Sequence, residues 1–308
     1  MAAQLAQPPA IATTYKLREA EGVLDRYFYR KLGFQLAKFF AKLGTTPVEV
    51  TLLGGVFGIV AGHLYFYRSV ALNLSGMLLQ VTANIFDNAD GQLARLTNQQ
   101  SRTGRILDPV VDHIIWLSIY VHLTFRLQFE GFSSAIWILA IAAGISHGLQ
   151  AGAADYCRNA YLYFVKGRFE FDSVSSLQQE YRRYTWRADA WRKFLLRLYL
   201  NAMHEQELLL PGIKQLHKTV VRDFAGVVPP VFRTSYAAFV LPTFKWWSLL
   251  MTNVRMLVLF ILFLVGQPAW FFWLEISLGN LLLLYLIVRQ QKIALSLLER
   301  FAAQKGRA

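Results

Sequence analysis

Long stretches of this chain carry no charge at all. Val50 to Tyr67 and Ser69 to Phe86 contain no Asp, Glu, Lys or Arg. Ile106 to Phe125 is apolar apart from Asp108, Asp112, His113 and His122, and Phe132 to Ala154 apart from His147 and a few small or amide side chains. A bilayer-spanning helix needs about 20 apolar residues, because roughly 30 Å of hydrocarbon is crossed at about 1.5 Å per residue. Each stretch is therefore expected to be one span. A further apolar region, Trp246 to Val288, is interrupted by Arg255, Glu275 and the turn signal Gly266-Gln267-Pro268, which divides it into two. The pattern predicts an all-α polytopic membrane protein with six transmembrane helices.

Composition agrees. Of 308 residues, 55% are hydrophobic and only 17% charged, a balance unlike that of a water-soluble domain. Laying the spans out alternately puts most Lys and Arg on one side and only Arg68 and Arg126 on the other. The positive-inside rule then places both termini in the cytoplasm, and the net charge of +13 needs no nucleic-acid partner to explain it. Residues 1–15, with Pro8 and Pro9, are expected to be a loose tail rather than a cleaved signal peptide. Within 16–46, Leu24, Tyr27, Phe28, Leu32, Phe39 and Phe40 alternate with basic residues, which predicts an amphipathic helix lying at the interface or capping the bundle. Transmembrane helices 1–4 fall in 47–155. Residues 156–245 read as a cytoplasmic helical insertion whose arginines interleave with Tyr181, Trp186, Trp191 and Phe194, a pattern suited to lipid headgroups. Helices 5 and 6 follow in 246–290, and 291–308 is a tail. The single cysteine, Cys157, excludes an intramolecular disulfide and is expected to be a small buried apolar residue.

Ionisable residues inside spans mark function, and four aspartates gather here. Asp87, Asp90, Gly91, Ala94 and Arg95 end the second span, on an arc of roughly 140° of one helix face. Asp108 and Asp112 open the third span, one turn apart, and the link of Thr97 to Thr103 is short enough to make the two helices antiparallel neighbours. Four converging carboxylates need counter-charge. Oxygen ligands without Cys or a His pair favour Mg²⁺, Mn²⁺ or Ca²⁺ over zinc, and Mg²⁺ commonly completes its shell with substrate phosphates. Gly91 and Ala94 leave backbone open to a flat base and a diphosphate.

The string Asp87-x-x-Asp90-Gly91-x-x-Ala94-Arg95, eight residues, Gly104-x-x-x-Asp108-x-x-x-Asp112 resembles the signature of the CDP-alcohol phosphotransferases at all of its fixed positions. Thr46-Pro47 resembles the family's usual lead into span one, with Val48 where Asn is common. The resemblance implies that Asp87, Asp90 and Asp108 hold two divalent ions, Mg²⁺ or Mn²⁺, with Asp112 sharing the second ion and serving as general base. It implies that Gly91, Ala94 and Arg95 line the CDP pocket, that Gly104 gives the third helix room, and that the protein is a homodimer. The implied reaction is transfer of a substituted phosphate from a CDP-linked alcohol to a hydroxyl acceptor, one of the two being a membrane lipid, with release of CMP at the cytoplasmic face. CDP-diacylglycerol with a small polar acceptor is the preferred pair, and a CDP-aminoalcohol with a diacylglycerol-like acceptor the variant.

Two other classes use intramembrane acids. A cation transporter would place them near the midplane, whereas here they cluster at a span end, and the Asn/Asp-rich motifs that a prenyltransferase carries in two separate helices do not match this string. Arg255 is a candidate contact for an anionic acceptor or phosphate, and Asn84, one turn before Asp87, a candidate contact for substrate or metal-bound water. Glu275, away from the acids, is expected to serve packing. His63, His113, His122 and His147 are expected to be hydrogen-bonded structural residues.

Overall fold

Four glycines in one 18-residue helix cost roughly 3–4 kcal/mol of helix propensity against alanine, so something must require their bareness. The computed structural model, which describes residues 24–167 and 171–305, shows what it is. In α2 (Pro47–Leu64) a Cβ on Gly54 would lie 2.8 Å from the Phe86 side chain, and one on Gly55 2.8 Å from Val111. At Gly58 and Gly62 it would lie 2.6 Å from Ile115 and Ser118 respectively. The glycine stripe thus seats α2 directly against α3 (Val70–Leu96) and α4 (Arg102–Phe129).

These helices lie in the first of two compact units, which divide between Arg126 and Leu127. Ahead of them, a wide helical turn, Asp25–Tyr29, leads into α1 (Arg30–Leu43). Gly44, at φ +72°, ends α1 in the left-handed conformation that glycine adopts freely. Two residues later Thr46 caps α2 reciprocally with Glu49, whose carboxylate accepts from the Thr46 N–H at 2.7 Å, and Pro47 takes the first helical position. Ala37, Phe40, Val50, Phe86, Ala89 and Leu93 form the core that α1, α2 and α3 share. The opposite side of α1 exposes Phe28, Leu32, Phe39 and Leu43. It therefore caps the bundle with one face and offers an apolar face outward with the other. Residues 1–15 and 16–23 of the expected tail and interfacial helix lie outside the described residues.

Among the described residues, five helical stretches are long and apolar enough to cross a membrane: Pro47–Leu64, Arg102–Phe129, Ile136–Lys166, Pro230–Leu264 and Trp270–Arg300. These five agree with an all-α polytopic membrane protein and do not by themselves give the count of six; the expected second span, α3, is the helix not among them. Its polar side chains are satisfied inside the unit: Gln80 accepts from the Tyr65 hydroxyl at 2.7 Å, and Asn73 accepts from Arg126 at 3.3 Å. Arg126, expected in a far-side loop, is buried within α4 and also donates to the Tyr65 and Tyr67 carbonyls. Two carbonyls at the end of α2 and the Asn73 side chain of α3 replace the water its charge would otherwise need.

The second unit draws its boundaries differently from the sequence. Helix α5 (Ile136–Tyr161) continues through the turn Leu162–Lys166 and stops at Gly167, φ +61°. Three helices follow within the stretch expected as an insertion, α6 (Val174–Arg183), α7 (Ala190–Leu209) and α8 (Pro211–Phe224). Pro230 takes the first position of α9 (Pro230–Trp247), where the N–H that proline lacks would have had no acceptor within the helix. A short turn, Ser248–Leu250, joins it to α10 (Thr252–Leu264), and the Gly266-Gln267-Pro268 turn separates α10 from α11 (Trp270–Leu274). After the turn Glu275–Gly279, α12 (Asn280–Lys305) runs far into the expected tail. Packing accounts for its length: the Gln291 side chain accepts from the Gly212 N–H at 2.9 Å, which holds α8 on α12. Cys157 is fully buried, as expected.

Candidate active site

The last turns of α3 and the first turns of α4 bring three acids together. Asp87, Asp90 and Asp108 each present a carboxylate oxygen, and these oxygens all lie within 4.8 Å of one another. Asp87 and Asp108 are within hydrogen-bonding reach. Even at 4.8 Å and an effective dielectric of about 20, two unit charges repel by roughly 3.5 kcal/mol, so the ionised set requires a cation. Three hard oxygen donors with no sulfur or imidazole among them fit a divalent ion of the Mg²⁺ or Mn²⁺ kind.

Two local features fix this geometry. Thr51, on α2, is buried, and its hydroxyl lies against both the Asp90 carboxylate and, at 3.0 Å, the Pro47 carbonyl. Pro109 follows Asp108 inside α4 and has no N–H to give the Arg105 carbonyl, so the ladder is interrupted beside the acids. The helix itself begins cleanly, with the Ser101 hydroxyl accepting from the Gly104 N–H at 3.0 Å.

Asp112 stands apart from the convergent three, yet near enough for its charge to act on Asp87. Gly91 presents bare backbone to the Arg95 guanidinium, which a Cβ there would meet at 3.5 Å. Ala94 is half-buried on the same stretch, and its carbonyl accepts from the Gln99 N–H at 2.9 Å as the chain turns towards α4. Gly104 lies against Ser101, where a Cβ would come within 3.0 Å of the hydroxyl. Asn84 hydrogen-bonds the Tyr29 phenol, and burial pushes that phenol's pKa up, so it stays neutral. The Gln92 amide donates to the Arg30 carbonyl at 3.2 Å, a second tie between α3 and the N-terminal helix.

Arg255 belongs to the second unit. Its guanidinium donates to Glu275 at 2.9 Å, to the Leu250 carbonyl at 2.5 Å and to the Gln150 side chain at 2.6 Å. Gln150 in turn donates to Asn280 at 2.9 Å, and Asn280 to Ser146 at 2.9 Å. Arg255 and Glu275, read separately in the sequence, are one buried ion pair. Among the histidines, His63 and His122 meet edge to face at 4.9 Å, and His113 bonds the Pro109 carbonyl.

The segment that supplies this geometry has relatives. Residues 44–154 match the family model described as CDP-alcohol phosphatidyltransferase. The match takes in α2, α3, α4 and the four aspartates of the site. An archaetidylinositol phosphate synthase of Pyrococcus horikoshii is 33% identical over 85 residues, 28% of this chain and 44% of that protein. A phosphatidylinositol phosphate synthase of Mycobacteroides abscessus is 29% identical over 125 residues, 41% of this chain and 56% of that protein. A bifunctional IPC transferase and DIPP synthase of Thermococcus kodakarensis is 24% identical over 143 residues, 46% of this chain and 32% of that protein. The chain thus spans about a third to a little over half the length of these relatives. All four aspartates of the matched segment lie in the first unit. Thr51 escaped the sequence reading because it lies on a different helix from Asp90, 39 residues away, and only packing brings the two together.

Proposed function

We propose that the chain is a multi-pass membrane enzyme that transfers a substituted phosphate group from a CDP-linked alcohol to a hydroxyl acceptor and releases CMP. CDP-diacylglycerol with a small polar acceptor is the preferred pair. The observation that carries this reading is the convergence of Asp87, Asp90 and Asp108 inside the matched segment.

Asp87, Asp90 and Asp108 would hold divalent ions, two in number and Mg²⁺ or Mn²⁺ in kind, with Asp112 sharing the second. Bound there, such ions neutralise the diphosphate and the charge that develops on the leaving group. The chain's own groups do the rest. Thr51 keeps the Asp90 carboxylate turned towards its neighbours. The bare backbone at Gly91 and Ala94 leaves room for the nucleotide, and Arg95 offers the diphosphate a charge-assisted donor. Asp112, beside the three acids rather than among them, accepts the proton of the acceptor hydroxyl as its oxygen bonds to the β-phosphorus. The bond from that phosphorus to the bridging oxygen breaks, and CMP leaves with the electron pair. The excess of Lys and Arg on one side of the span layout supports an active site facing the cytoplasm, and the family resemblance supports a homodimer. Arg255 and Asn84 are left out of the contact set, because the first is engaged with Glu275 and the second with Tyr29.

The test is CMP release from labelled CDP-diacylglycerol in membranes holding the protein, with Mg²⁺ or Mn²⁺. The acceptor panel includes inositol phosphate, after the names of the relatives. Asp112→Asn is expected to abolish turnover while metal-dependent CDP binding persists, and Asp108→Ala to abolish both. Normal turnover by Asp112→Asn removes the base assignment. CMP release with no acceptor in the panel and with no ion dependence removes the reading as a whole.

A further inference from the structure

Helices α6 and α7 carry a surface that the proposed reaction does not use. Trp186 in the connecting turn and Trp191 and Phe194 on α7 are 54%, 59% and 46% exposed. Exposing three large aromatic rings to water forgoes several kcal/mol of burial, so a partner for them is expected. Trp191, Phe194 and Leu198 recur at the three- and four-residue spacing of one helix face, while Leu195, Leu196 and Leu200 face inward. The outward stripe is flanked by Arg192 on one side and Arg197 on the other.

The surface is organised rather than loose. The Lys193 ammonium donates to the Tyr184 carbonyl at 2.7 Å and lies 4.7 Å from the Tyr181 ring centroid and 5.7 Å from that of Trp186. It thereby pins the turn between α6 and α7 onto α7. Trp191 and Phe194 stack at 6.2 Å. Among the described residues, Arg182, Arg183, Arg187, Arg192 and Arg197 pair with no acid, and between residues 181 and 198 Asp189 is the only acid.

We propose that the α6–α7 turn and the first half of α7 form a docking surface for an anionic phospholipid bilayer. Indole rings prefer the headgroup layer, and unpaired guanidinium groups complement acidic lipid phosphates. The surface is carried by the membrane-embedded part of the same unit. Gly152 of α5 leaves room for the Gln206 side chain of α7, and α8 is held on α12 through Gly212 and Gln291. Each near-surface arginine multiplies the docked population roughly fivefold, as about 1 kcal/mol implies.

The test places a nitroxide at position 194 through Phe194→Cys in the full chain; Cys157 is buried and does not compete for the label. The protein is reconstituted in nanodiscs of phosphatidylcholine alone or with phosphatidylglycerol. Phosphatidylglycerol is expected to shield the nitroxide several-fold from a water-soluble nickel chelate while leaving it open to oxygen. Combining Arg182→Gln, Arg183→Gln, Arg187→Gln and Arg192→Gln is expected to remove that shielding. So is salt near 1 M, where screening acts within about 3 Å. Equal exposure in both lipids overturns the proposal. Shielding in detergent that grows with protein concentration assigns the surface to a second copy and overturns it. Shielding that appears only when an oligonucleotide is added overturns it as well.

Discussion

Thr51 shows how much of a site can rest on a residue with no charge. Its hydroxyl is the contact that α2 makes with the Asp90 carboxylate, and ligand-orienting partners of this kind are typically worth about 10–100-fold in metal affinity. Thr51→Val, which keeps the shape and deletes the hydroxyl, is expected to lower Mn²⁺ affinity by that order, and Thr51→Ser to restore most of it. Titration of Mn²⁺ by electron paramagnetic resonance measures both, and unchanged affinity in the valine variant sinks the assignment. Arg255 and Glu275 give the converse case, charges that serve packing. Arg255→Met is expected to cost roughly 3–5 kcal/mol, because it strands a buried carboxylate, whereas Arg255→Met with Glu275→Leu recovers most of the loss. Thermal unfolding in detergent separates the two. At this scale the sequence revealed partners that share a helix face, since the helical period alone aligns Asp87 with Asp90. It could not reveal Thr51 with Asp90, 39 residues apart, or Arg255 with Gln150, 105 apart, because only tertiary packing makes those pairs.

Among elements, α2 and α8 make opposite demands. A Cβ at Gly62 would come within 2.8 Å of the Ile119 backbone nitrogen, which no side-chain rotation relieves, so Gly62→Ala is expected to destabilise by about 1–3 kcal/mol. Gly148→Ala, on α5, meets nothing within 4 Å and is expected to stabilise by about 0.5–1 kcal/mol. Melting temperatures of the two variants should therefore move in opposite directions. On α8, His217 packs between the rings of Tyr163 and Phe171, and burial lowers its pKa despite the opposing charge of Glu207. The unfolded chain then binds the proton more readily, so the packing of α8 is at full strength above about pH 6.5 and weakens as the pH falls through the lowered folded value. Proteolysis within residues 211–229 is expected to accelerate on acidification, and His217→Phe to abolish that acceleration. The spans were legible wherever apolarity was continuous. Helix α3 was legible as a helix, but its internal partners were not: Asn73 and Gln80 answer to Arg126 and Tyr65 inside the protein, pairs that no local pattern announces. The start of α9 was hidden because Pro229-Pro230 reads equally well as an ending and a beginning.

For the molecule as a whole, the basic residues constrain orientation more than any single helix does. With the insertion in the cytoplasm, protease added to inside-out vesicles is expected to cut around Arg187 while right-side-out vesicles are spared; the reverse pattern moves the proposed chemistry to the other face. The sequence placed the acids, their spacing and their position at a span end, and the structure adds that all of them belong to the unit ending at Arg126. Where α2 meets α4 at Gly55, Gly58 and Gly62, there is no layer of long side chains to act as a cushion. A seam of that kind cannot yield by rotamer exchange, so it behaves as a hard jaw. The contact of α3 with the N-terminal helix is of the other kind, held by side chains that can turn: Gln92 with Arg30 on α1, and Asn84 with Tyr29 in the turn before it.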